Sequence, residues 1–83
     1  MSTFETVRSI LTETLGLGDR GARLTPESGL LGEIPEFDSM AVVGVVAALE
    51  ERFDILFEDD EINGEVFATV GSLSAAVEAK RAT

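Results

Sequence analysis

The sequence predicts an all-α fold: a small four-helix bundle with three main helices, one short helix and a long loop after the first. Three observations predict it. Apolar residues recur at helical spacing in residues 2–15, 39–53 and 70–81. A capping residue precedes each run: Ser2, Asp38, and Thr69 or Ser72. Glycines and both prolines gather between the first two runs, where a helix could not continue. A chain of 83 residues is long enough for one small domain, expected to span 1–83.

The first helix is expected over residues 2–15. Ser2 and Glu5 form a capping-box pair. Phe4, Val7, Ile10, Leu11 and Leu15 share one face, and Gly16 and Gly18 stop the helix. Residues 16–37, GLGDRGARLTPESGLLGEIPEF, read as a loop that packs Leu17, Leu24, Leu30, Leu31, Ile34 and Phe37 onto the core. A loop of this length in a compact domain is commonly functional. A short helical turn around Pro26 to Gly29, capped by Thr25, is compatible with it.

Residues 39–53, SMAVVGVVAALEERF, hold four valines that would suit a strand. Length and the helical AALEER segment decide for a helix, with Asp38 as its cap. Val42, Val45, Val46, Leu49 and Phe53 then share one face, and Met40, Val43 and Ala47 form a second stripe beside Ser39. Apolar over more than half its circumference, such a helix is either central in the bundle or offers a face to a partner. In residues 54–69 a short helix is expected, capped by Asp59 or Asp60 and weakened by Gly64. In the last helix, 70–81, Leu73 and Val77 face inward, and Lys80 and Arg81 suit the negative end of the dipole.

Composition narrows the function. Sixteen acids against six bases give a formal net charge of −10. That repels nucleic acid and anionic membranes, favours partners with basic surfaces, and favours a monomer. At 45% apolar the chain is no disordered acidic tail. There is no cysteine, so no disulfide, thiolate nucleophile or thiolate metal site. The N-terminus lacks the apolar core of a signal peptide, and no stretch approaches the roughly 20 apolar residues of a membrane span. No membrane insertion is expected, and a cytoplasmic location is. There is also no histidine, tyrosine or tryptophan. A serine nucleophile needs a base to take its proton. Only Lys80, the carboxylates and the terminal amine could serve, so no catalytic residue is assigned.

One serine stands out within EFDSMAVV. If Asp38 caps the helix, Ser39 is its first residue, among unpaired N–H groups at the positive end of the dipole. A phosphate ester on Ser39 is electrostatically favoured there. The plain alternative is a small polar residue near a helix start.

DSM at 38–40, preceded by LLGEIPEF and followed by a valine-rich helix ending ALEERF, resembles the acyl carrier protein family, the phosphopantetheine-attachment domain. Its signature is Asp-Ser-Leu at the start of the second helix; methionine replaces the leucine here. The helix lengths, the long first loop, FEDDEI and TVGSL match the family's layout over essentially the whole chain. The resemblance implies that Ser39 carries a covalent 4'-phosphopantetheine arm, taken from coenzyme A by a phosphopantetheinyl transferase. It implies that the arm's thiol holds an acyl or aminoacyl group as a thioester for acyl-activating or acyl-transfer enzymes. The imported thiol and the external transferase account for the missing cysteine and histidine.

By position, the resemblance makes Asp38 the acid beside the modified serine and Met40 a hydrophobic partner contact. Val43 and Ala47 complete the docking stripe. Carriers of fatty acid synthesis usually have acids along the exposed face of this helix, whereas MAVVGVVAA has none between Asp38 and Glu50. That departure points to a dedicated partner with a more apolar dock. The wording IPEFDSMAVV resembles carriers that accompany bacterial exosortase and exopolysaccharide systems; polyketide and nonribosomal-peptide carriers stay open.

Asp59, Glu61, Asn63 and Gly64 fall near the first half of a calcium-loop pattern. Its closing bidentate glutamate would fall at Val70, so no metal site is assigned. Two other classes compete with a carrier: an acidic helical adaptor that is never modified, and a small hydrolase active without any arm.

Overall fold

The computed structural model describes residues 2–81. Four helices follow in order: α1 (Thr3–Leu15), α2 (Asp19–Ala22), α3 (Ser39–Phe53) and α4 (Val70–Arg81). A 3-10 turn, Asp59–Glu61, lies between α3 and α4. The all-α class and the three main helices stand as expected, but α2 and the loop around it need correction.

The ends of α1 are set by the residues the pattern named. The Glu5 N–H donates to Ser2 Oγ at 3.1 Å, and the Ser2 N–H donates to Glu5 Oε1 at 3.0 Å. Gly16 closes the helix in the left-handed region, at φ 65°. Val7, Leu11 and Leu15 are buried; Phe4 and Ile10 lie half-buried beside them. Thr3 and Thr6 are buried as well. Thr3 Oγ1 donates to Glu78 Oε1 at 2.6 Å and accepts from the Arg81 guanidinium at 3.1 Å, tying the start of α1 to the end of α4. It is α1, not α3, that packs against all three other helices.

Residues 16–37 are not a plain loop. Asp19–Ala22 forms one helical turn. Around Pro26 the chain makes a turn rather than a helix: the Thr25 N–H donates to Ser28 Oγ at 2.9 Å, and the Ser28 N–H returns to the Thr25 carbonyl at 3.0 Å. The segment is then fastened to the entrance of α4. Leu30 N–H donates to the Ala68 carbonyl at 2.9 Å, Val70 N–H to Ser28 at 2.9 Å, and Gly71 N–H to Pro26 at 2.8 Å. Gly71 has to be glycine, because a Cβ there would sit 2.6 Å from the Pro26 carbonyl oxygen. Leu17, Leu30 and Phe37 enter the core as expected, with Leu24 and Ile34 half-buried. Leu31 does not: it is 42% exposed. Leu31 opens the turn that follows Leu30, closed by the Ile34 N–H on the Leu30 carbonyl at 3.0 Å, and lies on its outer side.

In α3, Val45, Val46 and Leu49 are buried, with Val42 and Phe53 half-buried on the same side. The short element after it is a 3-10 turn with Glu58, rather than Asp59 or Asp60, at its N-cap position. Glu58 N–H donates to Glu61 Oε1 at 2.7 Å. For α4, Thr69 is the cap: Ser72 N–H donates to Thr69 Oγ1 at 2.9 Å. Leu73 and Val77 face inward with no exposed surface. Lys80 forms an ion pair with Glu61 at 2.8 Å, joining the last turn of α4 to the 3-10 turn.

Candidate functional site

Ser39 is the first residue of α3 and is exposed. Asp38 before it is extended, at φ −102° and ψ −175°, and its Oδ1 accepts from the Ala41 N–H at 2.9 Å. The first intrahelical bond runs from Val42 N–H to the Asp38 carbonyl at 3.0 Å. Among the described residues this leaves the Ser39 and Met40 N–H groups as the open positive end of the helix. A covalent phosphate ester on Ser39 fits this place on two counts. The serine is open to a large modifying enzyme, and the nearest unpaired backbone groups are donors.

The approach to Ser39 is held from three sides. Ile34 N–H donates to the Leu30 carbonyl at 3.0 Å, and Phe37 N–H to the Ile34 carbonyl at 2.9 Å. These bonds carry the anchoring of Leu30 forward along the chain. Phe37 is buried against Phe67, with ring centroids 5.8 Å apart. Glu36 accepts a hydrogen bond from the Arg20 guanidinium of α2. Arg20, and then the backbone N–H of Glu36 itself, hold that carboxyl below the usual carboxylate range.

Met40 is 79% exposed, Val43 is 66% exposed, and Ala47 is exposed. The stripe named from sequence is therefore surface rather than core, and it starts beside Ser39. Among the described residues no hydrogen bond joins the Ser39 hydroxyl to a base. The Asp38 carboxylate is engaged with the Ala41 N–H. Lys80 is engaged with Glu61 and lies 5.8 Å from the Phe57 ring centroid. Among the described residues no group of three or more acidic side chains is arranged to hold a metal ion. Asn63, part of the near-calcium pattern, instead braces a turn: its Oδ1 accepts from the Val66 N–H at 2.9 Å.

Sequence reasoning missed Arg20, Phe67 and Glu50. Glu50 Oε2 accepts from the Phe57 N–H at 2.8 Å. Each acts across the chain, and its partner has no fixed spacing that a motif could carry. The two glycines flanking Asp19 and Arg20 also hid α2.

Comparison with known proteins agrees with the geometry. A family model described as a phosphopantetheine attachment site matches residues 5–77. An acyl carrier protein from Helicobacter hepaticus is 36% identical over 81 residues, covering 98% of this chain and 100% of that protein. The solution NMR structure of a holo acyl carrier protein from Nitrosomonas europaea superposes with a TM-score of 0.93 at 53% identity, covering 100% of both chains.

Proposed function

The chain belongs to the acyl carrier protein family, and from that premise we propose that Ser39 is the residue that carries the phosphopantetheine arm. The family's function is to carry an acyl group on covalently attached phosphopantetheine, and its members are non-catalytic carriers. When attached, the arm supplies a thiol on which cargo is held as a thioester. What this chain's own residues supply is the attachment point and its presentation.

The single observation that carries the assignment is the position of Ser39: exposed, first in α3, next to a capping aspartate. Asp38 spends its carboxylate on the Ala41 N–H. It fixes the helix start without neutralising the open N–H groups of Ser39 and Met40. Among the described residues the hydroxyl has no base of its own, so a transferase takes its proton as it attacks a phosphate of coenzyme A. Phe37 and Glu36 keep the preceding turn in place while the transferase works on the serine.

The partners follow from the surface. Met40, Val43 and Ala47 present an apolar strip with no acid among them, so we assign them to contact with acyl-activating or acyl-transfer enzymes. A monomer in the cytoplasm suits the strong like charge and coenzyme A as donor. An unmodified adaptor is disfavoured, because the holo relative shares the whole fold.

The test is intact mass after incubation with a broad-specificity phosphopantetheinyl transferase and coenzyme A. The wild type gains one phosphopantetheinyl group and Ser39→Ala gains none. A folded wild type that stays unmodified with several transferases would sink the assignment.

A further inference from the structure

Few side chains are prone to oxidation, and this chain lacks most of them. It holds no cysteine, histidine, tyrosine or tryptophan, and only two methionines. One is residue 1. The other is Met40, the only sulfur-bearing side chain among the described residues. It is 79% exposed, more than any other large apolar side chain described. It directly follows Ser39, so the two Cα atoms are about 3.8 Å apart.

Nothing in the fold depends on the Met40 thioether. α3 buries Val45, Val46 and Leu49, with Ala41 and Val42 packed beside the core. Its start is fixed by Asp38, through the Ala41 N–H at 2.9 Å and the Val42 N–H at 3.0 Å. The Met40 side chain takes no part in either arrangement. An oxygen added to its sulfur would stand in water and leave the helix as it is. Methionine sulfoxide is polar and chiral where the thioether is flexible and apolar. That change matters only once a second surface covers it. An enzyme that reaches the Ser39 hydroxyl has to cover the adjacent residue.

We propose that Met40 is a redox-sensitive position that governs the loading of Ser39, oxidised by peroxides and restored by reduction. A lone pair of Met40 Sδ attacks one peroxide oxygen, and the S–O bond forms as the O–O bond breaks. The transferred oxygen gives up its proton, and the departing hydroxide takes one up to leave as water. The sulfur loses two electrons and the peroxide gains them. No base from the protein is needed. The sulfoxide then has to be desolvated under the transferase, where a polar group without a partner is costly. Methionine sulfoxide reductases, one for each sulfoxide epimer, return the apolar side chain.

The inference rests on the reading that Ser39 accepts the arm, and it adds a condition on that step. A leucine at position 40 would be apolar and of similar size but inert to peroxide. Methionine brings sensitivity here without a gain in packing, because its side chain stands in solvent. Val43 and Ala47, further along the stripe, have no oxidisable atom. The effect is therefore confined to the serine's own neighbour.

The experiment treats full-length, unloaded protein with hydrogen peroxide, removes the peroxide, and follows loading by a phosphopantetheinyl transferase with coenzyme A. Peptide mapping should place one added oxygen on Met40, and the thermal midpoint should match that of the untreated protein. The oxidised protein should load about tenfold less well at limiting concentration, with KM raised more than kcat is lowered. Sulfoxide reductases should restore the rate. Met40→Leu, compared with its own untreated sample, should lose nothing on peroxide treatment, and Met40→Gln should load slowly without peroxide. An untreated wild type that is not loaded sinks the attachment reading and the proposal with it. A loaded wild type whose oxidised form loads equally well overturns the proposal alone. So does an equal loss in Met40→Leu, a thermal midpoint that falls in step with the rate, or a loss that the reductases do not reverse.

Discussion

The Phe37 ring packs on the Phe67 ring with centroids 5.8 Å apart and planes tilted by 31°. One ring precedes Ser39 by two residues, and the other stands at the entrance to α4. Both are buried. The pair converts a sequence-distant contact into the position of Ser39.

Truncating Phe67 to alanine should therefore cost about 3–5 kcal/mol of stability. That is a large share of what a small domain has. Urea unfolding measures it. Phe67→Leu should cost less and leave a folded protein. In that variant hydrogen exchange of the amides of residues 36–42 should rise more than exchange in the middle of α1. Equal rises in both places would mean that Phe67 stabilises the fold generally and does not position the serine.

Asp38 caps α3, and its proposed role toward the transferase separates from that cap by substitution. Asp38→Ala removes the acceptor for the Ala41 N–H and should cost about 1 kcal/mol. Asp38→Asn keeps a capping oxygen and should keep most of that stability. On the proposed role, Asp38→Asn should be loaded more slowly than wild type despite its intact fold. Loading rates and thermal midpoints on the same samples decide this.

Acid should loosen the contact between the 3-10 turn and α4. Lys80, and then the Glu58 backbone N–H, hold the Glu61 carboxyl below its ordinary value. A carboxyl lowered in the folded state stabilises the fold fully above its unfolded value, near about 4.3. That stabilisation is lost as pH falls through the folded value. Both groups are solvated, so the effect is modest. Neutralising sixteen acids also relieves self-repulsion and acts in the opposite direction. The clean readout is a difference. The thermal midpoint of wild type minus that of Glu61→Gln should be positive at pH 7 and shrink below about pH 4. A difference that stays constant with pH would exclude the ion pair as its source.

Much of this molecule is legible from local pattern. Ser2 and Glu5 mark the start of α1, and Asp38 marks the start of α3. The valines of α3 divide into a buried face and an exposed stripe along a simple helical period. Local pattern places Ser39 first in α3, while its proposed role as carrier of the arm comes from the resemblance of DSM and its surroundings. What stayed hidden is non-local or too short. Asp19–Ala22 is a single turn containing a glycine, so it has no period to detect. Leu31, a leucine beside Leu30, reads as core from its type alone; the turn it opens leaves it exposed. The Arg20–Glu36 pair joins two residues that nothing in the sequence brings together. Glu58 takes the N-cap position of the 3-10 turn although glutamate is unusual there, and the side chain that closes the turn is that of Glu61, which accepts from the Glu58 N–H.

The backbone bonds joining residues 26–30 to residues 68–71 have a bearing on timing. A ribosome makes Ser39 before it makes the strand of backbone that steadies the approach to it. While the chain is unfinished, the Leu30 amide has no Ala68 carbonyl to meet, and Phe37 has no Phe67 to lie on. Contacts that close so much of the chain form late, because loop closure must precede them. The segment before Ser39 thus takes its final shape only once residues 67–71 are in place. Maturity of the fold and readiness of the serine come from one event.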